Sequence, residues 1–171
     1  MGYPSRIAVI GVGNEFRHDD GVGWAVIGRL EERARQRPYP PGTTLAVCDG
    51  DPACLISLWE AAELAVVIDA AHAHPGVPGR LHRLEADSAQ LHLPHEANAH
   101  GLGEAVELSR ALGRLPDRLI VYAVEVADNT MGPGLSAPVA ATVPLLAHRV
   151  EEEITRHRER APRQPSPGTD G

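Results

Sequence analysis

An apolar run that ends in glycines and is soon followed by two adjacent aspartates does most to limit how this chain can fold. Residues 7–10 read Ile-Ala-Val-Ile, which is typical of a buried first strand in a parallel α/β sheet. A dinucleotide-binding loop would place its third glycine at position 16, but that residue is Phe16. The negative charges of Asp19 and Asp20 would also repel a pyrophosphate. The segment therefore favours a cation or a polar peptide as ligand.

A second interpretation of these aspartates is structural. Either carboxylate can cap the helix predicted to start near Gly21, since a negative charge complements the positive end of the helix dipole. The sequence leaves both interpretations open.

Length and charge limit the class of protein. The 171 residues predict one compact domain over residues 1–160, followed by a disordered tail over residues 161–171 that offers no aliphatic side chain beyond Ala161. The net charge of −7 argues against nucleic acid or an anionic membrane as the main partner. The start of the chain lacks an apolar signal core, and no apolar run is long enough to span a bilayer. A cytoplasmic protein is expected.

Strand-like and helix-like stretches alternate along the chain. The third predicted strand is apolar on both faces, as in the centre of a sheet, whereas the fourth alternates weakly, as at an exposed edge. Alternation with short connections predicts an α/β fold with a mostly parallel sheet and helices on both faces. Strands are predicted at residues 6–10, 43–48, 64–68, 79–84 and 119–124, and helices at residues 21–36, 53–62, 102–112 and 137–158.

Acidic residues follow several of these strands. Ligands of such sheets bind beyond the carboxyl ends of the strands, which selects residues 14–20, Asp49, Asp51, Asp69 and Glu125. Asp69 stands out because it directly ends an apolar strand, where an unpaired charge would be costly. Its alternative role is to accept hydrogen bonds from neighbouring loop amides.

The chain contains nine histidines. Residues 95–100 read His-Glu-Ala-Asn-Ala-His, one residue longer than the zinc-protease pattern, so a helix would turn the two imidazoles apart. His100 directly precedes a predicted helix and can project towards the strand ends, although it can equally lack a ligand role. The sequence does not determine whether His18 points to the nearby acids or to water, and solvated loops are expected for His72, His74, His92 and His95.

Two nucleophile templates fail. The chain lacks a G-x-S-x-G elbow, and Ser136 is better explained as the cap of the last helix, with Pro138 in its first turn. Cys48 and Cys54 match neither a redox pair nor a zinc knuckle, so both are expected to be reduced, half-buried thiols. No local signature supports pairing either thiol with His100 in a thiol protease.

Several of these segments together resemble one family. Residues 13–23, Gly-Asn-Glu-Phe-Arg-His-Asp-Asp-Gly-Val-Gly, are similar to the G-N-x-L-x-x-D-D/E-G-x-G motif of the hydrogenase maturation proteases, endopeptidases that trim the large subunit of nickel-iron hydrogenases. The resemblance continues in order through Asp49-Gly50, Asp69 in V-V-I-D-A, His100 in H-G-L-G, and V-Y-A-V-E-V to G-L-S-A-P-V, over about residues 6–155. It implies a three-layer α/β/α fold whose five-stranded sheet has the order 2-1-3-5-4, with strand 4 antiparallel.

The resemblance also implies a site. Asp20, Asp69 and His100 match the family's metal-contacting residues, and Asp49 matches an aspartate associated with activity and recognition. The implied reaction is the removal of a C-terminal extension from the hydrogenase large-subunit precursor, with nickel supplied by that substrate and no tightly bound resident cofactor. A water molecule activated by the nickel, or by Asp20 or Asp49, would attack the peptide bond without a covalent enzyme intermediate. The predicted catalytic residues of this aspartic-type endopeptidase are Asp20, Asp49 and Asp69. Asp51 and Ala53 depart from the family's recognition loop.

Two other functions are compatible with the same residues. One is a resident-metal hydrolase of a small amide or peptide, which would retain its metal through purification. The other is a non-catalytic metal-binding or peptide-binding module, which would not cleave a nickel-loaded precursor.

Overall fold

A computed structural model describes residues 5–73, 75–87, 102–126 and 130–160. The strands are β1 Ile7–Val12, β2 Thr43–Cys48, β3 Leu64–His72, β4 Leu81–Asp87 and β5 Arg118–Val126. The helices are α1 Val22–Gln36, α2 Pro52–Trp59, α3 Leu102–Leu112, α4 Ala137–Ala140 and α5 Thr142–Arg160, and a short 3₁₀ helix, His18–Gly21, leads into α1.

The five strands form one sheet in the order β2-β1-β3-β5-β4. The pairs β1 with β2, β1 with β3 and β3 with β5 are parallel, whereas β4 runs antiparallel to β5. This confirms both the order and the strand directions that the family resemblance implies. The central strand is β3, as its uninterrupted apolar sequence predicted, and β4 lies at the edge.

Two hydrophobic layers cover the faces of the sheet because successive strand residues point to opposite sides. On one side, Val9, Val66 and Ile120 pack with apolar residues of α1 and α5. On the other side, Val67 and Val121 pack with residues of α2 and α3. The result is the three-layer α/β/α arrangement.

The helix α5 is also tied to the sheet by a buried carboxylate. Glu153 accepts hydrogen bonds from Arg83 Nε at 2.8 Å and from the Tyr122 hydroxyl at 2.6 Å. Burial acts to raise the pKa of Glu153, but the bonds from Arg83 and Tyr122 and the charge of Arg83 outweigh it and hold the pKa below its ordinary value. The ionised form of Glu153 therefore stabilises the fold.

The central strands are longer than predicted. Strand β3 continues past Asp69 to His72, paired in register with β5 from Asp69↔Ala123 to His72↔Val126. A ladder is made of backbone hydrogen bonds, so a polar side chain such as Asp69 need not end it. The prediction that His72 lies in a solvated loop is therefore wrong.

The last helix is interrupted where a single helix was predicted. A turn at residue 141 separates α4 from α5. Pro144 lacks the N–H that a continuous helix would donate to the Ala140 carbonyl, whereas proline is accepted in the first turn of a new helix. The Thr142 hydroxyl donates to the Val139 carbonyl at 2.6 Å across the break.

Some predictions fall outside the described residues: the tail over residues 161–171, His74, and the segment 88–101 with His92, His95 and His100. None of the described helices combines the length and apolar character needed to cross a membrane.

Candidate active site

Asp20 lies in the 3₁₀ helix at the carboxyl edge of the sheet and is 2% exposed. Its Oδ2 accepts a hydrogen bond from the backbone N–H of Asn14 at 2.9 Å, and its Oδ1 lies 3.8 Å from His72 Nε2. The position preceding α1 is taken by Gly21, and this helix has no side-chain cap. The capping interpretation is therefore wrong for Asp20, whose carboxylate turns back to the loop after β1.

Asp69 lies inside β3 and is 3% exposed. Because strand side chains alternate, it falls on the same side of the sheet as Val67, the side covered by α2 and α3. Its Oδ1 accepts a hydrogen bond from the backbone N–H of Ala70 at 2.8 Å, so the predicted acceptor role is present. This acceptor role and a ligand role are compatible, since a carboxylate offers about four lone-pair sites.

Close packing of α1 on the sheet brings the backbone of its first turn against β1 and β3. A β-carbon at Gly23, one helical turn after Asp20, would lie only 2.5 Å from the Ile68 carbonyl oxygen and 2.8 Å from the Val12 nitrogen. Only glycine allows this approach. Since Ile68 directly precedes Asp69 and the 3₁₀ helix contacts β3, the start of α1 sets Asp20 beside the part of β3 that carries Asp69.

His72 is a member of this region that the sequence did not indicate. It is the last residue of β3, and its imidazole is the group 3.8 Å from Asp20. That His72 lies near Asp20 could have been inferred only by extending β3 past Asp69. His100 lies outside the described residues, although α3 begins at Leu102 as predicted. Within the described residues, which exclude His100, no group of three or more His, Cys, Asp or Glu side chains is arranged to hold a metal.

Asp49 lies in the exposed loop after β2. Its Oδ1 accepts a hydrogen bond from the Asp51 N–H at 3.0 Å, which closes a turn typical of aspartate.

Both cysteines are free. Cys48, which precedes Asp49, is buried, and burial raises the pKa of its thiol to about 11, whereas Cys54 is partly buried. Neither cysteine is therefore disulfide-bonded, although Cys48 is more deeply buried than predicted.

Glu125 was predicted to follow the fifth strand but lies within β5, 5% exposed. Its Oε2 is 3.2 Å from Arg80 Nε and 3.3 Å from His82 Nε2, both at the edge of the sheet. The guanidinium of Arg80 compensates its buried charge. Glu125 therefore has a local ion-pair role.

Two large apolar side chains are exposed near Asp20. Phe16 is 62% exposed and Met131 is 69% exposed. Phe16 also lines a cavity of about 390 Å³ together with Trp24 and Leu135. This side of the 3₁₀ helix therefore presents apolar surface that a protein partner could cover.

The geometry defines an α/β protein with two buried carboxylates where its first helix meets the carboxyl edge of the sheet. A sequence model of the family described as hydrogenase maturation protease matches residues 25–153. The chain belongs to the hydrogenase maturation protease family, so it is a peptide hydrolase that acts on a hydrogenase precursor. The matched residues include Asp49 and Asp69 and begin after Asp20.

Several solved structures share this fold. The hydrogenase maturating endopeptidase HybD from E. coli superimposes with a TM-score of 0.70 at 22% identity, over 89% of this chain and 93% of that one. An endopeptidase from Escherichia coli gives 0.73 at 20% identity, with coverages of 89% and 93%. The NiFe hydrogenase maturation protease HycI from Thermococcus kodakarensis KOD1 gives 0.66 at 24% identity, with coverages of 89% and 94%. At these identities the likeness establishes the shared fold. No curated protein sequence matched the chain significantly.

Proposed function

We propose that the protein removes the C-terminal extension of a nickel-iron hydrogenase large-subunit precursor after nickel has been inserted into that precursor. The observation that carries the proposal is the burial of two carboxylates, Asp20 and Asp69, in the region where α1 meets β3. Family membership supports the choice of substrate class.

The chemistry of the donor set suits recognition of nickel held by the substrate. Carboxylate oxygens from Asp20 and Asp69, with an imidazole nitrogen from His100, would form an oxygen and nitrogen set that accepts Ni²⁺. A set of three ligands leaves positions for the groups through which the precursor already binds its nickel. No tightly bound resident cofactor is part of the proposal.

The carboxylates differ in exposure, which suggests a division of roles. Asp20 is buried and suited to contact the substrate's nickel, whereas Asp49 is exposed and can reach a water molecule next to a docked peptide. We therefore favour Asp49 over Asp20 as the general base that deprotonates the attacking water. The hydrolysis needs no covalent enzyme intermediate, as in other aspartic-type endopeptidases.

The exposed apolar side chains of Phe16 and Met131 support a macromolecular substrate. They flank the loop that carries Asp20, so a precursor bound over them would present its nickel site to the buried acids. This favours a protein substrate over the small amide or peptide of the resident-metal alternative.

The proposal is tested by incubating the purified protein with nickel-loaded precursor and identifying the released peptide by mass spectrometry. We expect one C-terminal peptide from the nickel-loaded precursor and none from the matched nickel-free precursor. Equal cleavage of both forms would contradict nickel sensing. Near-stoichiometric metal in the protein after gel filtration would instead favour the resident-metal hydrolase. Cytoplasmic processing is also part of the proposal, and cell fractionation tests it.

A further inference from the structure

Asp19, the neighbour of Asp20, is buried at 1% exposure and makes two side-chain contacts with one residue far along the chain. Its Oδ1 accepts a hydrogen bond from the Ser136 backbone N–H at 2.6 Å, and its Oδ2 accepts one from the Ser136 hydroxyl at 2.8 Å. Ser136 does precede α4, but that helix has no side-chain cap. The predicted capping role of its hydroxyl is therefore wrong, because the hydroxyl is directed to Asp19.

Backbone contacts extend this link into a clasp, defined here as residues 16–19 together with residues 132–136. The His18 N–H donates to the Gly132 carbonyl at 2.8 Å, and the Gly132 N–H donates to the Phe16 carbonyl at 2.7 Å. His18 Nδ1 lies 3.2 Å from the Gly134 carbonyl oxygen, to which it donates in the tautomer protonated at that nitrogen. Side-chain and backbone bonds thus join the same two segments.

The clasp also holds an uncommon backbone conformation. His18 has φ of +43°, in the left-handed region that residues other than glycine rarely occupy. The ring of His18 lies directly against Gly132, where a β-carbon would be 2.6 Å from Nε2. Such a conformation persists only where its surroundings fix it, so the clasp determines the backbone path immediately before Asp20.

Asp20 is held from two sides as a result. Its backbone N–H donates to the carbonyl of Arg17, a residue within the clasp, at 3.0 Å. Its side chain is held separately by the Asn14 N–H. If residues 17–19 moved, the backbone of Asp20 would move with them, and its carboxylate would be displaced relative to the Asn14 N–H.

We propose that Asp19 is a positioning residue: it anchors the 3₁₀ turn to Ser136 and thereby sets the direction of the Asp20 carboxylate. The two adjacent aspartates then have different tasks, since Asp20 faces the substrate's metal and Asp19 faces the protein. The inference rests on the proposed function for its activity readout.

Asparagine at position 19 distinguishes a positioning role from a ligand or acid–base role. The Asn amide oxygen can still accept from the Ser136 N–H, and its NH₂ group can donate to the Ser136 hydroxyl, which is both donor and acceptor. Asp19→Asn therefore keeps the clasp but removes the negative charge. Asp19→Ala removes both bonds and leaves the Ser136 N–H without that acceptor.

The experiment compares Asp19→Asn, Asp19→Ala, Ser136→Ala and Asp20→Asn in steady-state cleavage of nickel-loaded precursor, with thermal melts as a folding control. We expect Asp19→Asn to retain most activity and Asp19→Ala to lose about 10- to 100-fold in kcat with a smaller change in KM, the size of effect that misplacing a reacting group produces. Ser136→Ala, which keeps its backbone bond to Asp19, should fall between them. Asp20→Asn should be inactive.

If folded Asp19→Asn loses as much activity as Asp19→Ala, the charge of Asp19 acts directly and the positioning role is wrong. If Asp19→Ala keeps the parental kcat, the clasp does not position Asp20. If Asp19→Ala does not fold, parental kcat in Ser136→Ala overturns the inference. If the parental protein cleaves no precursor, the proposed function fails. Crystal structures of the variants then test the positioning role alone. The Asp20 carboxylate should keep its place in Asp19→Asn and shift in Ser136→Ala or Asp19→Ala. An unshifted Asp20 in both of the latter would contradict the proposal.

Discussion

Replacing Asp69 by asparagine separates a functional carboxylate from a structural one. The two side chains are nearly isosteric, and the Asn amide oxygen can still accept the 2.8 Å hydrogen bond from the Ala70 N–H. The substitution removes a negative charge from a side chain that is 3% exposed in the central strand. We therefore expect the folded structure to survive while the group that would contact nickel is lost.

The size of the effect follows from the burial. Since a buried charge costs more to desolvate than a neutral amide of the same shape, the free energy of unfolding of Asp69→Asn should lie between the parental value and about 2 kcal/mol above it. For a chain of this length, each kcal/mol shifts the melting temperature by about 2–4 °C, so the melting temperature should be unchanged or higher by up to about 8 °C. In contrast, kcat/KM for nickel-loaded precursor should fall about 100-fold or more, which corresponds to ~2.7 kcal/mol of transition-state stabilisation.

The assay is precursor cleavage in parallel with thermal melts, with Glu125→Gln as the matched control. Glu125 is a buried carboxylate in the neighbouring strand β5, but its side chain lies next to Arg80, with which it forms a local ion pair, and next to the His82 imidazole. Glu125→Gln should melt at a lower temperature and still cleave. Parental cleavage by Asp69→Asn, or its failure to fold, would refute a ligand role for Asp69 and make it a structural acceptor.

Three further predictions concern stability and the tail. Because the folded pKa of Glu153 is lowered, its stabilising effect is present above the unfolded pKa of about 4.3 and is lost as the pH falls through the folded pKa. The free energy of unfolding of Glu153→Gln, measured with urea, should therefore depend less on pH below about 4.3 than that of the parent. The same dependence on pH in both proteins would contradict this. Gly23→Ala should lower the free energy of unfolding by about 1–3 kcal/mol, because the added β-carbon meets the backbone of β3. Gly28→Ala in the same helix, where a β-carbon would have nothing within 4 Å, should raise it by up to about 1 kcal/mol. Chemical denaturation measures both variants, and equal effects would argue against the close approach of α1 to the sheet. Removal of residues 162–171 should leave melting temperature and precursor cleavage unchanged, and a folded truncation that no longer cleaves would assign precursor recognition to the tail.

Much of the fold was accessible from the sequence because its signals are local. The apolar run of β3 predicted a central strand, and the periodicity of residues 102–112 predicted α3 at its observed bounds. The end of β3 was not predictable in this way, because Asp69 interrupts the apolar run whereas the backbone pairing with β5 continues to His72. The break before α5 could have been predicted, since Pro144 cannot donate within a continuous helix.

The candidate site was predicted as a set of acids but not in its contacts. The rule that ligands bind beyond strand ends selected the loop of residues 14–20 together with Asp49, Asp51, Asp69 and Glu125, and the family resemblance singled out Asp20 within that loop. Neither could assign Asp19 to Ser136, because that contact joins residues 117 positions apart in the sequence. The approach of His72 to Asp20 was missed for the same reason, since it depends on how far β3 extends.

Anomalous scattering from crystals of the full chain soaked with Ni²⁺ tests the site most directly. We expect one peak within about 2.2 Å of a carboxylate oxygen of Asp20, a carboxylate oxygen of Asp69 and a ring nitrogen of His100, distances typical of divalent metal sites. A peak that Asp20 shares with His72 but not with Asp69, or nickel bound only at surface histidines, would contradict the assignment of Asp20, Asp69 and His100 as the residues that contact the metal.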